Sequence, residues 1–123
     1  MKRKTSIRLK AYVAYKRLKE LHENKKTITY GELGEMIDTH YRQVGGVAGK
    51  IQDMFVEYNK EHNSKVPPLN ALIVNKQTKR PGDGCNIEDP KEVLDFDYTS
   101  VFPEIEKKNF FFIRRKTMST THP

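Results

Sequence analysis

The chain has 123 residues, 36% of them hydrophobic and 32% charged, with a net charge of +7. That suits one small domain with one core, and no run of eighteen apolar residues is present to span a membrane. The single cysteine, Cys85, rules out an intrachain disulfide, and one cysteine with four scattered histidines has no zinc-ligand spacing, so no cofactor or metal is expected.

The charge is unevenly placed. Residues 1–26 carry ten Lys/Arg against two Glu, residues 83–108 carry eight Asp/Glu against three Lys, and Arg114 to Lys116 add three more cations. A basic block of this kind points to a polyanion partner, and the acidic block offers a surface for a protein partner. The start, "MKRKTSIRLK", is basic without the apolar stretch of a signal peptide. The expected compartment is the cytoplasm, with nucleoid association if the source is bacterial.

Taken in chain order, residues 6–24 read as an amphipathic helix, with Ile7, Ala11, Ala14, Leu18 and Leu21 on one face. Thr27 to Thr29 are extended, and Thr29 with Glu32 has the spacing of a capping box, so a short helix begins there with Leu33, Met36 and Ile37 inward. Asp38-Thr39 interrupts the pattern and can cap the next helix. From Tyr41 the helical period returns through Val44, Val47, Ala48, Ile51, Met54, Phe55 and Tyr58, and it stops near His62. Residues 69–74, "LNALIV", read as a strand, and residues 75–84 as a turn-rich basic loop punctuated by Pro81-Gly82 and Asp83-Gly84. Asp89-Pro90 with Glu92 reads as the start of a short helix, and residues 110–113 as a last strand or a core plug.

A short helix closely followed by a longer one, then a strand and a basic loop, is helix-turn-helix order with a wing. The fold class expected is α+β, a winged helix-turn-helix in a single domain over 1–123. Its parts are a core over 6–84, an acidic extension over 85–113 and a basic, flexible tail over 114–123. Arg42 falls near the start of the second helix, the end that meets DNA in such modules. Gly45, Gly46 and Gly49 each cost helix stability, about 1 kcal/mol relative to alanine. Two uses account for them: close approach of bare backbone to a phosphate chain, or packing against the first helix.

The blocks Tyr30-Gly31-Glu32-Leu33-Gly34 and Arg42-Gln43-Val44-Gly45-Gly46, followed by Val66-Pro67-Pro68, resemble the DNA-binding part of the alkylguanine-DNA alkyltransferases and alkyltransferase-like proteins. The resemblance covers roughly residues 8–84. It implies a winged helix that enters the minor groove, with Tyr30 rotating a phosphate and Arg42 filling the stack where a nucleotide is flipped out. It breaks at the family's acceptor cysteine, whose place is taken by Pro68, with Leu69-Asn70 where a His-Arg pair follows. Cys85 lies well downstream without a neighbouring histidine to activate it, so alkyl transfer is rejected and no catalytic residue is assigned.

The expected function is therefore non-catalytic, weakly sequence-specific binding of duplex DNA. Its contacts are Tyr30, Tyr41, Arg42, Gln43, Gly45, Gly46, Lys50, Lys76, Lys79 and Arg80. Two alternatives stand beside it. His40-Tyr41-Arg42 could serve a small basic ribonuclease-type toxin, with histidine as base and arginine on the phosphate. A winged helix could also be the protein-interaction subunit of a larger DNA-processing or defence complex, with the segment 83–108 facing the partner.

Overall fold

The computed structural model describes residues 7–82, 85, 87 and 89–110. The first helix, α1 (Ile7–Glu23), buries Ala11, Ala14, Tyr15, Leu18 and Leu21 along one stripe. Ile7 is not part of that stripe: it starts the helix, is 43% exposed, and reaches only the edge of the next long helix. Lys25, in the left-handed region at φ 56°, ends α1, and the Lys26 N–H donates back to Leu21 O at 2.9 Å.

Strand β1 (Ile28–Thr29) leads straight into α2 (Tyr30–Met36). The expected capping box is present: the Glu32 N–H donates to Thr29 Oγ1 at 3.1 Å, and the Thr29 N–H donates to Glu32 Oε1 at 3.0 Å. Leu33 and Ile37 are buried, whereas Met36, the last residue of α2, is 42% exposed. Asp38 takes the left-handed conformation at φ 54° in the turn after α2, and the Thr39 N–H donates to Gly34 O at 2.8 Å. Any Cβ on Gly34 would lie 2.5 Å from Thr39 O, so glycine is what lets this turn close.

Helix α3 (Tyr41–His62) buries Val44, Val47, Ala48, Ile51 and Phe55, with Met54 and Tyr58 partly covered at the edge of the stripe. Its cap is His40 rather than Asp38 or Thr39: His40 Nδ1 accepts the Arg42 N–H at 3.2 Å. Asp38 is committed to the preceding turn and is not available for that role. Asn63, left-handed at φ 49°, closes the far end.

After Pro67-Pro68 the apolar run is only partly a strand. Leu69–Leu72 form one turn of 3-10 helix, and β2 is limited to Ile73–Val74. Pro68 O accepts the Ala71 N–H at 3.1 Å, which curls the chain before it can extend. The two strands pair in parallel, Ile28 with Ile73 and Thr29 with Val74. The connection between them runs through α2, α3 and the 3-10 turn, as a parallel pair requires. The molecule is thus an α+β domain, mostly helical, with a two-strand sheet.

The rest of the chain closes the other side of α1. Helix α4 (Lys91–Leu94) begins where Asp89 Oδ1 accepts the Lys91 N–H at 2.9 Å. Helix α5 (Val101–Asn109), which has no counterpart in the sequence expectations, follows. Val93, Tyr98, Val101, Ile105 and Phe110 belong to the same core as α1 and α3. Phe110 is the core plug: its ring meets Tyr12 at 4.9 Å and Tyr15 at 5.2 Å. Residues 111–113, Asp83 and Gly84 lie outside the described residues, as does the basic tail. Tyr15 donates its hydroxyl proton to Glu106 at 3.1 Å, and Tyr98 donates to Pro67 O at 2.6 Å. Burial pushes both phenols well above their ordinary pKa, with Glu106 adding to the effect at Tyr15.

No helix among the described residues is long and apolar enough to cross a membrane.

Candidate functional site

Four features of the sequence lie on α2, α3 and the loop after β2. Helical geometry places Arg42, Gly46, Gly49 and Asp53 along one outward line of α3, at i, i+4, i+7 and i+11, with Gly45 beside it. This line lies opposite the buried stripe. Tyr41, Arg42, Gln43, Gly45 and Gly46 are all exposed, and Gly49 is half-exposed.

The space around the glycines separates their two uses. Among the described residues, a Cβ built on Gly45 or on Gly49 meets nothing within 4 Å. On Gly46 it meets, among the described residues, only the tip of Ile7, at an ordinary 3.7 Å. Packing against α1 therefore does not require glycine at any of these positions. Three residues that weaken a helix leave a bare strip of backbone facing outward, one turn below Arg42.

Arg42 stands at the end of that strip. Its guanidinium carbon lies 5.8 Å from the centre of the Tyr41 ring, and among the described residues neither Glu35 nor Asp38 forms an ion pair with it. Tyr41 is 55% exposed and stacks on His40 with ring centres 4.6 Å apart. His40 is thus held by two local contacts, and its Nδ1 lone pair is occupied by the Arg42 N–H. Lys50 points to a different place. It shares an open groove of about 410 Å³ with Arg8, Asp53, Glu57, Lys60 and Lys108 on the flank of α3. Beyond Gly49 the outward line carries the acids Asp53 and Glu57, the latter 3.6 Å from Lys108 Nζ.

The basic loop is an ordered turn. The Asn75 N–H donates to Arg80 O and the Lys79 N–H to Asn75 O, each at 2.8 Å. Asn75 Oδ1 accepts from the N–H groups of Gln77 (2.8 Å) and Thr78 (3.1 Å). Lys79 is left-handed at φ 63°. Val74 and Pro81 form an antiparallel bridge at its base, so the turn is the tip of a short hairpin. Lys76, Lys79 and Arg80 are exposed on it. The tip faces the start of α2: the Thr29 hydrogen bonds hold the Glu32 carboxyl below its ordinary pKa, and Lys79 and Lys76 add to that pull.

Tyr30, the first residue of α2, is half-buried, and its hydroxyl oxygen accepts the Gly82 N–H at 3.1 Å. Gly82 is not among the sequence candidates. Its only local signal is the Pro81-Gly82 breaker, and its partner is 52 positions away.

Where the resemblance would place reactive groups, Pro68 is buried and caps the 3-10 turn. Asn70 is 5% exposed, and its Nδ2 lies 3.4 Å from Gln52 Oε1 and 3.8 Å from Cys85 Sγ. Among the described residues, no three His, Cys, Asp or Glu side chains converge to hold a metal. In the acidic extension Asp89 accepts the Lys91 N–H, Asp95 pairs with Lys91 at 2.9 Å, Asp97 accepts from Thr99, and Glu106 pairs with Lys19. Two of that segment's acids, Asp95 and Glu106, are thus paired with lysines of the same chain.

Compared with protein-family models, with curated proteins and with solved structures, the chain matches none.

Proposed function

We propose that this chain is a non-catalytic module for duplex DNA, a winged helix-turn-helix in which α2 and α3 form the helix pair and the 75–80 turn forms the wing. The observation that carries the reading is the open glycine strip on α3. A helix with ordinary side chains is about 10–12 Å across, and the minor groove is only about 6 Å wide. A face reduced to backbone over Gly45, Gly46 and Gly49 can approach a groove that a normal helix cannot enter. In this reading Arg42, at the head of that strip, wedges into the stack, and the wing cations neutralise phosphates. Weak sequence specificity follows, since few side chains on this surface can read base edges.

The test uses Gly45→Ala and Gly49→Ala. Each replaces a poor helix former at a position with open space, so each should stabilise the fold by about 1 kcal/mol. Each should also weaken duplex binding, by about three- to tenfold, because the added methyl keeps the helix off the duplex. The two effects have opposite signs, so loss of fold cannot imitate loss of contact. Variants that gain stability and bind duplex as the parent does would overturn the reading. The parent is titrated in parallel with matched duplex DNA, single-stranded DNA and RNA, and strand integrity is followed on gels. Cut RNA would favour the ribonuclease alternative, and absence of binding to all three would favour the protein-interaction module.

A further inference from the structure

The wing is ordered within itself and tied to the body through both of its limbs. Its outgoing limb is held by β2, which pairs with β1 over only two residues. Its returning limb meets the outgoing one at the Val74–Pro81 bridge and reaches the body where the Gly82 N–H donates to the Tyr30 hydroxyl. The fit there is close. A Cβ on Gly82 would overlap the Tyr30 hydroxyl and would lie 3.2 Å from the ring carbon that bears it. Tyr30 in turn belongs to the first turn of α2, next to Glu32, which senses Lys79 and Lys76.

We infer that Tyr30 is a wing-positioning residue: its hydroxyl holds the returning limb at Gly82 and so sets where Lys76, Lys79 and Arg80 stand relative to the helix pair. For its effect on binding, the inference rests on the DNA reading above. It gives Tyr30 a role that differs from a direct phosphate contact. Removing the hydroxyl should cost the wing's contributions, and should cost nothing further once those contributions are gone.

The first arm needs no DNA. In Tyr30→Phe the Gly82 amide should exchange its hydrogen about five- to tenfold faster, as expected from losing one hydrogen bond. An unchanged rate overturns the inference whatever the protein binds. The second arm is a pair of cycles on duplex DNA. Tyr30→Phe should flatten the salt dependence in the parent and leave it unaltered when Lys76, Lys79 and Arg80 are already alanine. Gly82→Ala should weaken binding more in the parent than in the Tyr30→Phe background, since the overlap is chiefly with the hydroxyl oxygen. Full, additive losses in both cycles would mean that Tyr30 acts on the phosphate or on the fold directly, and would overturn the inference. If the parent itself binds no duplex while the amide arm succeeds, the DNA reading fails and the positioning contact stands.

Discussion

Raising the salt from about 50 to 200 mM should weaken duplex binding by roughly 250- to 1000-fold. The figure follows from counterion release: neutralising about four to six phosphates gives log K a slope of about −4 to −5 against log salt. The cations available for this are Arg42, the wing trio Lys76, Lys79 and Arg80, and the basic part of α1. All three wing side chains are exposed on an ordered turn, so little ordering cost is added on binding. Replacing the trio by alanine should flatten the slope by about two or three units, with no change in melting temperature beyond that of ordinary surface substitutions. A slope near zero in the parent would sink the phosphate-contact picture altogether.

Arg42→Lys should weaken duplex binding by about 1–3 kcal/mol, the scale of a stacking contact. Lysine keeps the charge but loses the planar guanidinium that can lie between bases. The substitution should leave stability nearly untouched, because Arg42 is exposed and its amide, not its side chain, makes the contact with His40. A fluorescent base analogue in the duplex separates wedging from simple phosphate contact: the parent should brighten it by unstacking, and the lysine variant should not. If Arg42→Lys binds like the parent and neither protein unstacks the reporter, α3 is a surface binder and the wedge is wrong.

The helical frame is legible in the sequence because its signals are local. The stripes of α1 and α3 repeat over several turns, and Thr29 with Glu32 marks the start of α2 in four residues. The run 69–74 misleads because its five apolar residues fit a buried 3-10 turn as well as a strand, and periodicity cannot separate the two. Helix α5 escapes for a related reason: it is short, carries Pro103 in its first turn, and buries only Val101 and Ile105. At the site, Arg42 and the wing cations can be read from residue type and order. The use of the glycines cannot, since it depends on what faces them, and only tertiary structure shows that α1 reaches Gly46 alone, through the tip of Ile7 at an ordinary distance. The contact between Tyr30 and Gly82 is beyond reach of any local pattern, being made across 52 positions.

The packing of α5 and Phe110 against α1 bears on how the molecule comes off the ribosome. Tyr15 on α1 and its partner Glu106 are 91 positions apart. At about 5–20 residues per second, α1 waits roughly five to twenty seconds for that partner to be made. During that interval one side of its apolar stripe has nothing to cover it, although α2, α3 and the 3-10 turn are already available on the other. Nascent chains halted with α5 still inside the exit tunnel should therefore be cut readily within α1 by protease, and chains halted with Phe110 well clear should resist. Equal resistance at both lengths would mean that the helix pair and wing mature on their own, with the acidic extension added to a finished fold.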